Sequence, residues 1–208
     1  AAYVYWNIKQ YGQALKYIDH ALSIPRFDES LTVSDLTLRA QIYNDMYCGQ
    51  NEFLSEETGL LMVGEDPENE YLILAGRDLQ SAKELQQKLV HKMGRTSYID
   101  ELAELHYNLS QNLGYRGFYR EAIEEIDAAL EMEKSADVTQ DLYATYYQAS
   151  VVRLGAYSKW KEEHFLVEAF DYLDNAEAEI MRHGTANAYY YLEDVQKQKD
   201  YILEVLGK

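Results

Sequence analysis

Cysteine, proline and long apolar runs are nearly absent from this chain of 208 residues, and each shortage excludes a class of protein. The single cysteine, Cys48, rules out an intramolecular disulfide framework and a multi-cysteine metal site. That usage fits a reducing compartment, so a cytoplasmic location is expected. Only Pro25 and Pro67 interrupt long stretches of Ala, Leu, Glu, Gln and Lys, a composition that favours helix and disfavours an all-β fold. No run of about eighteen apolar residues occurs, and the opening AAYVYWNIKQ has neither a basic region nor an apolar core. A membrane-spanning helix or a secretory leader is therefore not expected. Basic residues are scarce as well, 19 against 36 acidic ones, which leaves a formal charge of −17. Such a surface opposes phosphate backbones and anionic lipid, so this segment is expected to avoid nucleic acid and membrane and to prefer a neutral or basic partner. The chain opens on Ala1 in the middle of a helical pattern, which predicts further sequence upstream.

Helical periodicity is what the sequence has in quantity. Leu105 to Lys134 reads as two helices around a turn at Gly114 to Gly117. In the second, Tyr119, Ala122, Ile126, Ala129 and Leu130 recur three or four residues apart and share one face. Ala122 and Ala129 let a neighbouring helix come close, and Tyr119 fills the space beside the turn. The same spacing occurs at Tyr11, Ala14, Ile18, Ala21 and Leu22, closed by Pro25, and a related face at Ala169, Leu173 and Ala176.

Glycine and an aromatic at the interhelix turn, alanines two turns apart on the second helix and a proline near its end resemble the tetratricopeptide repeat. The resemblance implies an all-α fold, an α-α superhelix of antiparallel helix hairpins with a C-terminal capping helix. Tyr11 and Tyr119 lie 108 positions apart, room for three units of about 34 residues. The expected organisation is a single domain over 1–208, with helix pairs at 1–24, 34–63, 68–93, 98–134 and 139–182 and a cap at 185–206. Within it, helices are predicted from Ser34 to Tyr47, Glu52 to Val63 and Asp78 to Lys92, with the loop GEDPENE between the second and third and Gly94 as a stop signal.

Signs of catalysis are missing. The histidines His20, His91, His106, His164 and His183 form no spaced metal set, and Glu163 beside His164 points elsewhere on a helix. Gly114 and Gly117 lack the Lys-Ser/Thr of a phosphate loop. No catalytic residue, metal or cofactor is expected, and the chain reads as non-enzymatic.

Twenty tyrosines are present, most of them suited to packing between helices. Three precede a side-chain amide: Tyr43-Asn44, Tyr107-Asn108 and Tyr147-Gln148. The resemblance places Asn44 and Asn108 on first helices facing a concave groove, where amides can pair with the backbone of an extended peptide. The candidate binding residues are accordingly Asn44, Tyr107, Asn108, Gln111, Tyr115, Tyr147 and Gln148. Family members that clamp a terminal carboxylate use bases, whereas Glu104 stands near Asn108 here. The ligand expected is a protein or peptide segment, not a carboxylate tail.

Irregular repeat spacing and the amide pattern also resemble the sensor regions of Gram-positive bacterial pheromone regulators, PlcR-like and Rgg-like. That resemblance implies the peptide-sensing domain of a transcription regulator. A structural assembly scaffold without a small ligand is the third reading, and a homodimer fits any of the three.

Overall fold

The computed structural model describes residues 1–25, 27–54, 61–93, 96–136, 142–183 and 188–207. Helices dominate them: α1 (Ala2–Asn7), α2 (Tyr11–Ser23), α3 (Glu29–Asn51), α4 (Glu70–Met93), α5 (Thr96–Tyr115), α6 (Tyr119–Ser135), α7 (Leu142–Trp160), α8 (His164–His183) and α9 (Tyr189–Val205). Among the described residues the fold is all-helical apart from two three-residue strands, β1 (Glu52–Leu54) and β2 (Leu61–Val63), which pair antiparallel with Glu52 opposite Val63. Each odd-numbered helix packs on the next even-numbered one, giving hairpins α1–α2, α3–α4, α5–α6 and α7–α8, with α9 against α8. Successive hairpins meet through α2–α3, α4–α5 and α6–α7, and α5 also touches α3 and α7.

The even-numbered helices share one motif: Ala14-Ile18-Ala21, Ala75-Leu79-Ala82, Ala122-Ile126-Ala129 and Ala169-Leu173-Ala176. These positions fall on one helix face. All are buried except Ala21, which is partly exposed. A methyl side chain lets the neighbouring backbone approach, and the branched residue between fills the space left. Elsewhere the absence of a Cβ serves the same purpose: one built on Gly155 of α7 would lie 2.1 Å from Cε1 of Tyr119. At the α5–α6 turn Gly117 adopts φ 73°, and Phe118 N–H donates to Leu113 O at 2.9 Å, so the chain reverses in three residues.

The middle of the chain differs from the sequence expectation. The segment 34–63 does not form a helix pair. Asp28 caps α3 by accepting from Ser30 N at 3.0 Å, so the helix starts at Glu29, five residues before the expected start, and runs on to Asn51. Where a helix was expected at 52–63, the described residues form β1 and β2. The helix expected at Asp78 starts instead at Glu70, where the Asn69 side chain accepts from Tyr71 N at 3.0 Å. Thus α3 pairs with α4, and the interval between the two clearest repeats holds two hairpin steps of unequal length, not three of about 34 residues. The Gly94 stop and the expected starts of the last pair and the cap, at 139 and 185, lie outside the described residues, as do 55–60.

Ionic clasps cross the hairpin boundaries. Arg39 of α3 donates through Nη1 to Asp19 of α2 at 2.7 Å and holds both oxygens of Asp78 of α4 at 2.7 and 2.8 Å. Arg153 of α7 does likewise with Asp127 of α6 and Glu168 of α8, both within 3.0 Å. Between them, Glu125 of α6 receives Lys83 Nζ of α4 at 2.7 Å and faces His106 Nδ1 of α5 at 2.6 Å. Burial pushes the Glu125 carboxyl up, but the His106 and Lys83 hydrogen bonds outweigh it and hold it below the usual glutamate value. Because the folded value lies below the unfolded one, Glu125 adds stability above the ordinary value of about 4.3. That increment is lost as pH falls through the lower folded value. Glu125→Gln is therefore expected to cost about 1–3 kcal/mol at neutral pH, with the difference from wild type shrinking as the solution is acidified through the carboxylate range. Urea midpoints measured across pH check both the size and the direction.

Candidate functional site

A recess of about 290 Å³ opens between the three odd-numbered helices α1, α3 and α5. Its floor is apolar, formed by Val33 and Leu105, which are 3% and 1% exposed. One wall is aromatic: Tyr3 and Trp6 of α1 meet edge to face with ring centres 5.6 Å apart. Trp6 is anchored to α3 because its indole N–H donates to Asp45 Oδ2 at 2.6 Å. Burial raises the Asp45 carboxyl, and the indole hydrogen bond offsets part of that rise.

The second wall is polar and lies on α3, where Ser34, Thr37 and Gln41 follow one another at intervals of three and four and so share a face. Ser34 and Thr37 spend their hydroxyl protons on the carbonyls of Ser30 and Val33, at 3.1 and 2.9 Å, and keep lone pairs free to accept. The Gln41 amide has no hydrogen bond among the described residues and offers both a donor and an acceptor.

The third wall is acidic. Glu101 and Glu104 of α5 both line the recess, and no lysine or arginine lines it among the described residues. Glu101 is oriented by Gln86 of α4, fully buried, whose Nε2 donates to Glu101 Oε2 and to Tyr98 O, each at 2.9 Å. Protein crowding around Glu104 raises its carboxyl above the usual range, Glu101 adds to the rise, and the nearby Asn108 amide works against it.

The seven residues expected to form the groove stand outside the recess, and Tyr107, Gln111 and Tyr147 come together beside α9. Asn44, Asn108 and Gln148 are 7%, 5% and 7% exposed and lie between helices. Asn44 Oδ1 accepts from Asn112 Nδ2 at 2.9 Å, and the same nitrogen donates to Leu72 O at 2.9 Å, tying α3, α4 and α5 together. Gln111 Nε2 donates to Tyr107 OH at 3.2 Å. Tyr147 OH accepts from Gln198 Nε2 of α9 at 2.8 Å, and its ring meets Tyr191 at 5.2 Å, so α9 covers this part of α7. Tyr107 belongs to the same crowded group: burial, then the neighbouring Tyr191, Glu133, Tyr147 and Tyr143, drive its hydroxyl far above the ordinary value. Tyr115 faces Tyr47 at 6.3 Å and stands near Cys48, outside the recess.

Burial pushes the Cys48 thiol up to about 11, so the thiolate needed of a nucleophile is not formed at neutral pH. His106 and Glu125 are engaged with each other, and His164 lies on the surface 3.6 Å from Glu162. Among the described residues no group of three His, Cys, Asp or Glu is placed to hold a metal ion, and no helix is long and apolar enough to cross a membrane. No known family model matches the chain, and no curated protein matches it significantly.

The buried amides generate a prediction about stability. Asn44→Ala removes the acceptor for Asn112 inside the α3–α5 contact and is expected to lower stability by about 1–3 kcal/mol. Chemical denaturation of the variant checks this; a midpoint equal to wild type would show that the amide pair carries no load.

Proposed function

We propose that this chain is a non-enzymatic binding module, a tetratricopeptide-like superhelix whose odd-numbered helices hold an extended segment of a partner protein or peptide. One observation carries the reading: the recess is built by side chains from three successive odd-numbered helices, with an apolar floor and hydrogen-bonding groups along one wall. An extended strand laid across Ser34, Thr37 and Gln41 finds acceptors and an amide for its backbone, and its side chains enter the recess. The groove residues are therefore Tyr3, Trp6, Thr37, Gln41, Glu101 and Glu104, in place of the buried Tyr-amide pairs. The acid excess of the chain supports a neutral or basic partner and disfavours nucleic acid and anionic membrane.

Filling the recess tests this directly. Peptides selected from a random display library on the wild-type protein are expected to lose at least about tenfold in affinity, near 1.4 kcal/mol, for Thr37→Trp. The variant's thermal midpoint should stay close to wild type, since Thr37 is only partly buried. Peptides that bind the variant equally well, or a selection that enriches none, contradict the reading.

A further inference from the structure

The composition of the recess narrows the ligand further, and the narrowing rests on the groove reading above. We infer that the recess takes an arginine side chain of the bound segment, with its guanidinium between the Tyr3–Trp6 wall and the carboxylates of Glu101 and Glu104.

Three independent features converge on that chemistry. The first is size: about 290 Å³ sits at the lower edge of the range of about 300–1,000 Å³ usual for small-molecule pockets and suits one long side chain. The second is the aromatic wall. Trp6 is held by Asp45 and presents the ring type best suited to a cation within about 6 Å of its face, and Tyr3 is 59% exposed beside it. The third is uncompensated charge. At the helix contacts Asp78 is paired with Arg39 and Glu125 with Lys83, but Glu101 and Glu104 face the recess with no cation lining it among the described residues. Glu101 is instead aimed by the buried Gln86 amide, which uses Oε2 and leaves Oε1 uncommitted to it.

Arginine answers all three at once. Its methylene stem covers the Val33–Leu105 floor, its planar head lies against an indole, and its forked donors reach two carboxylate groups. The repulsion of Glu104 by Glu101 is offset when a positive charge enters between the two acids. A neutral side chain of the same length gains the stem contact but leaves the repulsion in place. Elsewhere the same chain stacks guanidinium on rings, with Arg120 5.0 Å from the Trp160 centroid and Arg153 4.4 Å from that of Tyr172.

The test uses the intact chain and two small probes, N-acetyl-arginine methylamide and its neutral citrulline counterpart. Binding is followed by the indole N–H resonance of Trp6, identified by its loss in Trp6→Phe, with Trp160 as the internal control. The arginine probe is expected to shift the Trp6 signal saturably and to bind at least about tenfold more tightly than the citrulline probe. Glu104→Gln should weaken arginine by a similar factor, while Glu163→Gln on the far loop leaves it unchanged. Equal binding of the two probes, equal binding to Glu104→Gln, or no saturable Trp6 shift overturns the inference. Library peptides that lose affinity for Thr37→Trp in that event keep the groove reading and remove only the arginine; if none do, both fall.

Discussion

Close approach of helices at paired alanines is the constraint on which this structure depends. Each even-numbered helix carries two alanines seven residues apart with an isoleucine or leucine between them, and seven of the eight alanines are completely buried. Seven residues are close to two helical turns, so the pair forms a flat strip against which another helix can lie. A larger side chain anywhere on the strip would have to be absorbed by the whole contact, because packed interiors are dense and yield little. The two core clusters, one under α3 to α5 and one under α6 to α9, are organised around these strips.

Fixing the even-numbered helices in this way decides what the odd-numbered ones do. Arg39 and Arg153 reach acids on both flanking even helices, and Asp19 and Asp127, which they clasp, stand five positions after the first alanine of their own motifs. A guanidinium removed partly or wholly from water, with carboxylates on two sides, adds little net stability but penalises any register in which the acids are misplaced. With hairpins so registered, α1, α3 and α5 are left side by side, and their outer residues supply the recess. The C-terminal end is different. There Gln198 and Tyr191 of α9 occupy the corresponding side of α7, so the recess belongs to the N-terminal half.

Much of the fold was legible because alanines repeated at helical spacing mark a face that a second helix approaches closely. The strips at Ala14, Ala122 and Ala169 could be read directly, and each lies on a second helix of a hairpin. The strip at Ala75-Leu79-Ala82 was hidden by an expectation of uniform unit length, since β1, β2 and the loop to Asn69 lengthen that repeat. The candidate site was less legible. A tyrosine beside an amide says only that adjacent residues point in different directions, not which one faces outward. Asn44 follows the buried Ala40 by four positions, and Asn108 follows the buried Leu105 by three; both therefore belong to the core stripe. That comparison within each helix was the available signal. Thr37, Gln41 and Glu104 carried no motif, and only the meeting of α1, α3 and α5 shows them to be neighbours.

The arrangement of the hairpins turns on the alanine strips, and the one hidden from motif reading tests them best. Equilibrium unfolding of Ala82→Leu should show a loss of about 1–3 kcal/mol, because the side chain is fully buried against its neighbours. The matching change at Ala21, which is partly exposed, should cost clearly less. An Ala82→Leu protein that unfolds at the wild-type midpoint would contradict the claim that close packing at these positions sets how the hairpins stack.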